Sequence, residues 1–356
     1  MEIIKKILQD KFAKTAFIIL ALLYFIIIFA DFIAPYSNMY SNREMSYAPP
    51  SQIYTINEKG KLSLPYTYNY TRQYDKELMQ TVFKQDKSKK YFIKLLPKSE
   101  KYKILGIIPV NRHLFGVEGN GQLYLLGTDI NGRDVFSRLL FGGRISMTVG
   151  FLSLLIVFPI GLIYGGISGF FGGITDTLMM RFAEAIMAIP SFYLLIILAA
   201  ILPSGMTSVQ RFALIVVILA LIGWAGFARV VRGMVLSIKN EDFVLAEKVI
   251  GASNLRIVLK HILPQTTSYV IIAMTLSVPS YILAESGLSF LGLGIQQPDA
   301  SWGNMLKEAQ EFTNILYRPW LLAPGGLIFI AVLCFNLLGD VVRDILDPKS
   351  NSRINQ

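Results

Sequence analysis

The chain has 356 residues, 53% hydrophobic and only 16% charged, with a formal net charge of +10. A soluble domain carries about a quarter charged residues, so the deficit points to lipid as the solvent, and the basic excess is what accumulates beside apolar spans rather than a nucleic-acid footprint. A lone cysteine, Cys334, excludes an intrachain disulfide, and His113 and His261 stand without cysteine or carboxylate neighbours at ligand spacing, which argues against a structural metal site.

Six blocks lack Asp, Glu, Lys and Arg: Thr15–Ala30, Ile145–Thr175, Ala185–Gln210, Phe212–Ala228, Gln265–Ala284 and Pro319–Gly339. A helix needs roughly 20 apolar residues, range about 17–25, to cross the hydrocarbon core. Five blocks reach that lower limit, and the first is extended past Asp31 by Phe32–Pro35. The expectation is an all-α membrane protein with six transmembrane helices. Lys5, Lys6, Lys11 and Lys14 precede the first apolar run, which is longer than the h-region of a signal peptide. It reads as a retained first span with a cytoplasmic N-terminus.

Between spans one and two, about Tyr36 to Gly143, the chain is lysine-rich yet falls outside. Loops longer than about 60 residues are exempt from the charge rule. Alternation at Tyr66-Thr67-Tyr68-Asn69-Tyr70, with 91–96 and 102–105, suggests strands. A small, mostly β extracytoplasmic insertion is expected at about 37–125. Beyond it, Gly127 and Gly132 suit tight turns. Asp129, Arg133 and Asp134 either pair with each other or dock a soluble protein from outside.

The block Ile145–Thr175 exceeds what one span needs; with Gly161, Gly165, Gly166, Gly169, Gly172 and Gly173 thickening towards its end, the helix is expected to stop near Gly169, with Phe170–Thr175 a cytoplasmic turn. Pro190, Pro279 and Pro324 fall within spans and can kink them. Glu285 is the clearest acid among the late apolar stretches. Intramembrane charges usually face the protein interior or a water-filled path, so Glu285, with Ser286, lines a pathway or serves as a packing or gating group near the outer end of span five.

The stretch Asn240–Gln265 lies between spans four and five with Arg229, Arg232, Lys239, Lys248, Arg256 and Lys260, which places it inside. Arg343, Lys349 and Arg353 place the C-terminus there too. Asn240 is suited to cap a helix carrying Glu241 and Asp242 in its first turn. Gly251 closes it in the left-handed conformation. Ser253 or Asn254 caps a second helix, whose Leu255, Val258, Leu259 and Ile262 follow i, i+3, i+4, i+7 spacing, and Pro264 ends it before span five. Such an amphipathic helix fits a groove on a partner; a plain cytoplasmic hairpin fits the spacing equally well.

Leu245-Ala246-Glu247, then Gly251-Ala252-Ser253, then Leu263-Pro264 resembles the loop motif of permease subunits of binding-protein-dependent ABC importers. The departure is Leu245 where the family usually has Glu, and Glu247 where it has Ala. Two positions on a helix turn a side chain by about 200°, so Glu247 does not stand in for that carboxylate. Leu126-Gly127-Thr128-Asp129, Gly132-Arg133-Asp134, Ser137-Arg138 and Gly143-Arg144-Ile145-Ser146 resemble the C-type subunit of the dipeptide, oligopeptide and nickel importers. So do Glu285 to Gly294, Pro298 and Ser301-Trp302-Gly303.

The resemblance implies a type I importer permease fold, no catalytic residues and no cofactor. Its partners are a second, B-type permease, two cytoplasmic ATPase subunits, an extracytoplasmic solute-binding protein and membrane lipid. The expected setting is the bacterial cytoplasmic membrane, multi-pass, with both termini cytoplasmic. The cargo would be oligopeptides or dipeptides, with nickel chelates or oligosaccharides as alternatives. The ATPase-coupling residues would be Ala246, Glu247, Gly251, Ala252, Ser253, Leu255, Arg256, Leu259, Leu263 and Pro264. An outer-face motif would comprise Gly127, Thr128, Asp129, Gly132, Arg133 and Asp134, and a pathway or gate Glu285, Ser286 and Pro279. The only Gly-Lys pair, Gly60-Lys61, lacks the upstream glycine of a phosphate-binding loop, so hydrolysis falls to partners. The expected division is 1–36 with span one, 37–125, 126–143, 144–346 with a coupling loop at 237–265, and a cytoplasmic tail at 347–356. An ion-coupled secondary transporter is the rival, although no internal repeat is visible.

Overall fold

The computed structural model describes residues 2–57, 60–76, 80–203 and 205–346; the expected tail, with Lys349 and Arg353, lies outside them. Among the described residues, five helices are long and apolar enough to cross a membrane: Lys11–Ile28, Val135–Phe171, Ser208–Ile238, Asn254–Phe290 and Pro319–Leu346. Among the same residues a broken pair, Gly173–Ala188 and Ser191–Ala200, bent by 80°, makes a sixth crossing if it counts as one span. The third span expected over Ala185–Gln210, with Pro190 able to kink it, is thus a full break at that proline. The cause is local: Ile189 precedes Pro190 and is extended (φ −87, ψ 126), because a proline crowds the residue before it out of the helical region and has no N–H to continue the ladder.

The second span also differs from expectation. Its helix begins at Val135, inside the segment expected at 126–143, and runs through Gly169 to Phe171. The turn after it is confined to Gly172, at φ +67, before a new helix starts at Gly173. Pro159 and Pro279 sit inside helices that continue past them. Pro324, expected within a span, is the second residue of Ala323–Leu346, where its missing N–H has no helical partner to lose.

The described residues fall into two compact units, those within 2–20, 147–288 and 329–346 in one, those within 21–146 and 289–328 in the other. In the first, Gly161, Gly165 and Gly169 repeat at i, i+4, i+8 along one helix face. A Cβ at Gly165 would overlap the carbonyl of Ala228, and at Gly169 it would come within 2.8 Å of the carbonyl of Arg232. These glycines let the helix lie directly on Ser208–Ile238, the small-residue packing that membranes favour. Arg232 then holds Asp176 through two hydrogen bonds, Nε to Oδ1 (2.6 Å) and Nη2 to Oδ2 (2.5 Å), fastening the start of the broken pair to the same helix.

The second unit contains a four-stranded antiparallel sheet in the order β1 (Tyr54–Ile56), β2 (Leu62–Asp75), β3 (Gln80–Leu95), β6 (Phe115–Val117), and a separate hairpin of β4 (Lys98–Ile104) and β5 (Ile108–Arg112). Tyr66, Tyr68 and Tyr70 of β2 are all buried, and so is Thr67, beside a register shift between Thr67 and Asn69. Tyr54 stacks on Tyr66 at 5.6 Å, and Tyr36 stacks on both Tyr40 and Tyr124. The rings bury apolar area while keeping a hydroxyl for hydrogen bonds.

Candidate functional sites

The loop after Ser208–Ile238 is a helix, Asp242–Val249, whose N-cap is Glu241 rather than the expected Asn240, and no side-chain cap bond is made. Val244, fully buried, anchors it. Its end follows the expected chemistry. Gly251 lies at φ +83; its N–H donates to Lys248 O (3.1 Å) and that of Ala252 to Glu247 O (3.0 Å). These are the paired bonds of a Schellman motif. A Cβ on Gly251 would meet nothing within 4 Å, so backbone conformation, not space, calls for glycine here.

Ser253 occupies the next N-cap, again without a side-chain cap bond. From Asn254 the chain stays helical to Phe290, correcting the expected break at Pro264. A wider π turn over Ile257–Ile262 and a tight 3₁₀ turn over Leu263–Thr266 carry the helix past the proline, rearranging the ladder where its donor is missing. The four apolar residues expected on one face divide in two. Val258 and Ile262, with Ile257, are fully buried, whereas Leu255 and Leu259 are 53% and 46% exposed. Val249 and Ile250, which the spacing argument passed over, are 87% and 76% exposed, and Leu245 also faces out. Their position just ahead of the closing glycine was the available signal. Ala246, Ser253, Arg256 and Pro264 are exposed; Ala252 and Leu263 are half-buried. Glu247 Oε1 lies 3.4 Å from His261 Nδ1, a partner that sequence reasoning missed.

In the second unit the charged motif is buried and paired internally. Asp129 Oδ2 receives Arg133 Nε at 2.6 Å, and Arg138 Nε stands 3.6 Å from the same oxygen. Asp129 Oδ1 accepts the N–H groups of Asn131 and Arg133. Arg133 also donates to Gln297, and Arg138 Nη1 to Pro298 O at 2.9 Å. Of the two open readings, mutual pairing describes Asp129 and Arg133, whereas Asp134 bonds to Ser137 rather than to either arginine. Asp134 accepts the N–H and hydroxyl of Ser137 on Oδ2 (2.8 and 2.6 Å). Burial pushes its carboxyl up to about 7 despite those bonds. Burial, helped by the Asp129 charge, likewise pushes Glu308 up to about 7; Glu308 Oε2 accepts the Ile130 N–H at 3.0 Å. Thr128, fully buried, donates to Met45 O and accepts from Ala48 N–H.

Both glycines of this motif have positive φ, Gly127 at +67 and Gly132 at +68. A Cβ at Gly132 would overlap the backbone carbonyl of Asn42. The two sequence stretches that carried the subfamily resemblance meet here: Trp302 Nε1 donates to Leu139 O (2.9 Å), and Trp302 N–H to Ser146 Oγ (3.1 Å). Arg144 closes the first span, donating to the carbonyls of Ile27 and Ile28 and to the Asp31 carboxylate, as a cation at a helix C-terminus does.

In the first unit Glu285 is fully buried, and Ser286 nearly so, on the helix that contains Pro279. Among the described residues, no group of three His, Cys, Asp or Glu side chains is placed to hold a metal ion.

Residues 158–352 match the family of binding-protein-dependent transport system inner membrane components, and residues 1–50 match the N-terminal TM domain of oligopeptide transport permease C. The chain is 47% identical over 225 residues to the dipeptide transport system permease protein DppC of Bacillus subtilis, covering 63% of this chain and 68% of that one. It is 44% identical over 227 residues to the oligopeptide transport system permease protein OppC of Haemophilus influenzae (64% and 70%). It is 38% identical over 225 residues to the nickel transport system permease protein NikC of Escherichia coli (63% and 78%). With more than half its length in the first match and apolar helices for several crossings, the chain belongs to the binding-protein-dependent transport system inner membrane components, as a multi-pass, C-type permease subunit of the peptide and nickel ABC importers.

Proposed function

We propose that this chain and a B-type permease together form the path of an ATP-driven importer of oligopeptides or dipeptides in the bacterial cytoplasmic membrane. Both termini and the 237–265 loop lie inside; the 37–125 insertion lies outside, with the 126–143 motif segment and an extracytoplasmic solute-binding protein. The observation that carries this reading is the divided loop. Ile257, Val258 and Ile262 fix it to the permease, while Leu245, Val249, Ile250, Leu255 and Leu259 remain uncovered. Uncovered apolar side chains on a short, capped helical element suit a groove on a partner. Two cytoplasmic ATPases closing on ATP would push that element, and its buried half would pass the displacement to the helix Asn254–Phe290. The chain itself supplies no hydrolysis.

Peptide cargo is supported by the relatives, since the dipeptide and oligopeptide permeases are more similar to this chain than the nickel permease over nearly equal coverage. The test is uptake into proteoliposomes holding the full complex with its binding protein. ATP-dependent, vanadate-sensitive entry of di- or oligopeptides is expected. Entry of nickel chelates or sugars without peptide would overturn the cargo, and uptake stopped by an ionophore but not by vanadate would overturn ATP coupling.

A further inference from the structure

The hairpin β4–β5 has no part in the coupling loop or the buried charge cluster. Its turn is Ile104-Leu105-Gly106-Ile107, closed by Ile107 N–H donating to Ile104 O at 3.0 Å. The two central residues have φ +51 and +74, the pattern of a type I′ turn, which favours Asn, Asp or Gly. A leucine at positive φ is strained, and this one is also 52% exposed. Ile107 is 77% exposed and Ile108 58%. Leu105 and Ile107 thus stand in a turn where polar residues are the norm, with Ile108 directly after it.

The depth of this tip is set by hydrogen bonds. Leu105 N–H donates to Asp31 Oδ2 at 3.1 Å, and Asp31 is held by Arg144, which also takes the last carbonyls of the first-span helix. That helix, Lys11–Ile28, has 18 residues, about 27 Å of rise against a hydrocarbon core of about 30 Å. Asp31 follows three residues later, about 4–5 Å on, within a headgroup layer roughly 5–7 Å thick. Phe25 and Ile28, exposed at the same end of that helix, extend the apolar surface towards the tip.

Charge completes the pattern. Lys101 and Lys103 are exposed on β4, four and two residues before Leu105 at the tip. Beside them opens a cavity of about 410 Å³ lined by Asp31, Tyr36, Lys101, Tyr102, His113 and Phe141, in which the Asp31 charge is already met by Arg144.

We propose that the β4–β5 hairpin is an interfacial membrane anchor for the insertion: Leu105, Ile107 and Ile108 enter the acyl-chain boundary of the adjoining leaflet, while Lys101 and Lys103 hold anionic phospholipid headgroups beside the cavity. The proposal rests only on the first helix crossing the membrane, not on the cargo. An amphipathic surface element of this kind binds by apolar insertion plus attraction to anionic lipid. Each lysine near such a surface is worth about fivefold in partitioning.

The test uses the full-length chain assembled with its partner subunits, in liposomes containing lipids with a nitroxide near the top of the acyl chain. In a Cys334→Ala background, an NBD fluorophore is placed on Ile107→Cys, with Leu22→Cys as the lipid-facing standard and Lys61→Cys as the aqueous one. Quenching at position 107 approaching that at 22 is expected. It should fall several-fold when phosphatidylglycerol is replaced by phosphatidylcholine, or when Lys101 and Lys103 are both changed to Gln. Quenching no greater than at position 61 overturns the anchor; blue-shifted emission with that result means the tip packs against a protein neighbour. Strong quenching indifferent to lipid charge and to the lysines overturns the headgroup contact.

Discussion

Glu247 Oε1 stands 3.4 Å from His261 Nδ1, tying the first helix of the coupling loop to the helix that continues into the next span. Both side chains are about a quarter exposed, and pairs near the surface are worth about 0–1 kcal/mol. Glu247→Ala is therefore expected to weaken ATPase co-purification less than about fivefold. Gly251→Val should do more, because a β-branched residue at φ +83 breaks the capping geometry, while insertion, which depends on the apolar spans, is retained. Quantitative pull-down of the ATPases with each variant checks the ranking; equal effects would remove the special role of Gly251.

Two glycines at positive φ should respond differently to alanine. Gly251→Ala places its methyl in open space and carries only the left-handed penalty of about 1–2 kcal/mol. Gly132→Ala adds an overlap with the Asn42 carbonyl, a backbone atom that cannot swing away. Melting in detergent, followed by the fluorescence of Trp224, Trp302 and Trp320, should show a clearly larger loss for Gly132→Ala.

Asp134 and Glu308, both raised to about 7, make a signed pH prediction. Unfolded carboxyls titrate near 4, so between about 4 and 7 the native state binds more protons than the unfolded one. The stability they contribute is full below about pH 4 and is lost as pH rises through about 7. Asp134 Oδ1 has no hydrogen-bond partner among the described residues, which suits a neutral carboxyl. The same melting signal should show higher stability near pH 5.5 than near pH 8, and Asp134→Asn should flatten the difference.

Topology is checked with single cysteines. Cys334 is buried and is removed as Cys334→Ala. Lys89→Cys, on β3 of the insertion, should label in intact cells with an impermeant thiol reagent. Lys248→Cys, in the coupling loop, should label only after lysis. Equal labelling of intact cells would contradict the proposed sidedness.

The features legible beforehand were those with local causes. Apolar blocks marked the spans, the alternating tyrosines of β2 marked a strand, and Gly251 marked a helix end by the one conformation it alone takes easily. The misreadings have local causes too, with the opposite outcome. In water Gly161, Gly165 and Gly169 would weaken a helix; within a membrane the same small face is a packing surface. Pro264 signals a helix end, but a π turn ahead of it absorbs the missing donor. Pro190 signals a kink, and with Ile189 it produces a larger, 80° break. The buried charge cluster was half visible, because Asp129 and Arg133 are four residues apart. Gln297 and Glu308 join it from more than 160 residues away, and no periodicity reports such a contact.

The central claim is that the outward leucines of the loop hold the ATPases. Full burial of a leucine is worth roughly 1.5–3 kcal/mol, and Leu255 and Leu259 are about half exposed. Covering what remains on both would contribute about 2 kcal/mol, some thirtyfold in affinity. The most direct measurement is ATPase co-purification with the Leu255→Asp, Leu259→Asp double variant, alongside its tryptophan melting curve. The account predicts an unchanged melt, because neither side chain is buried, with the ATPases lost and uptake abolished. Undiminished co-purification and transport would contradict it.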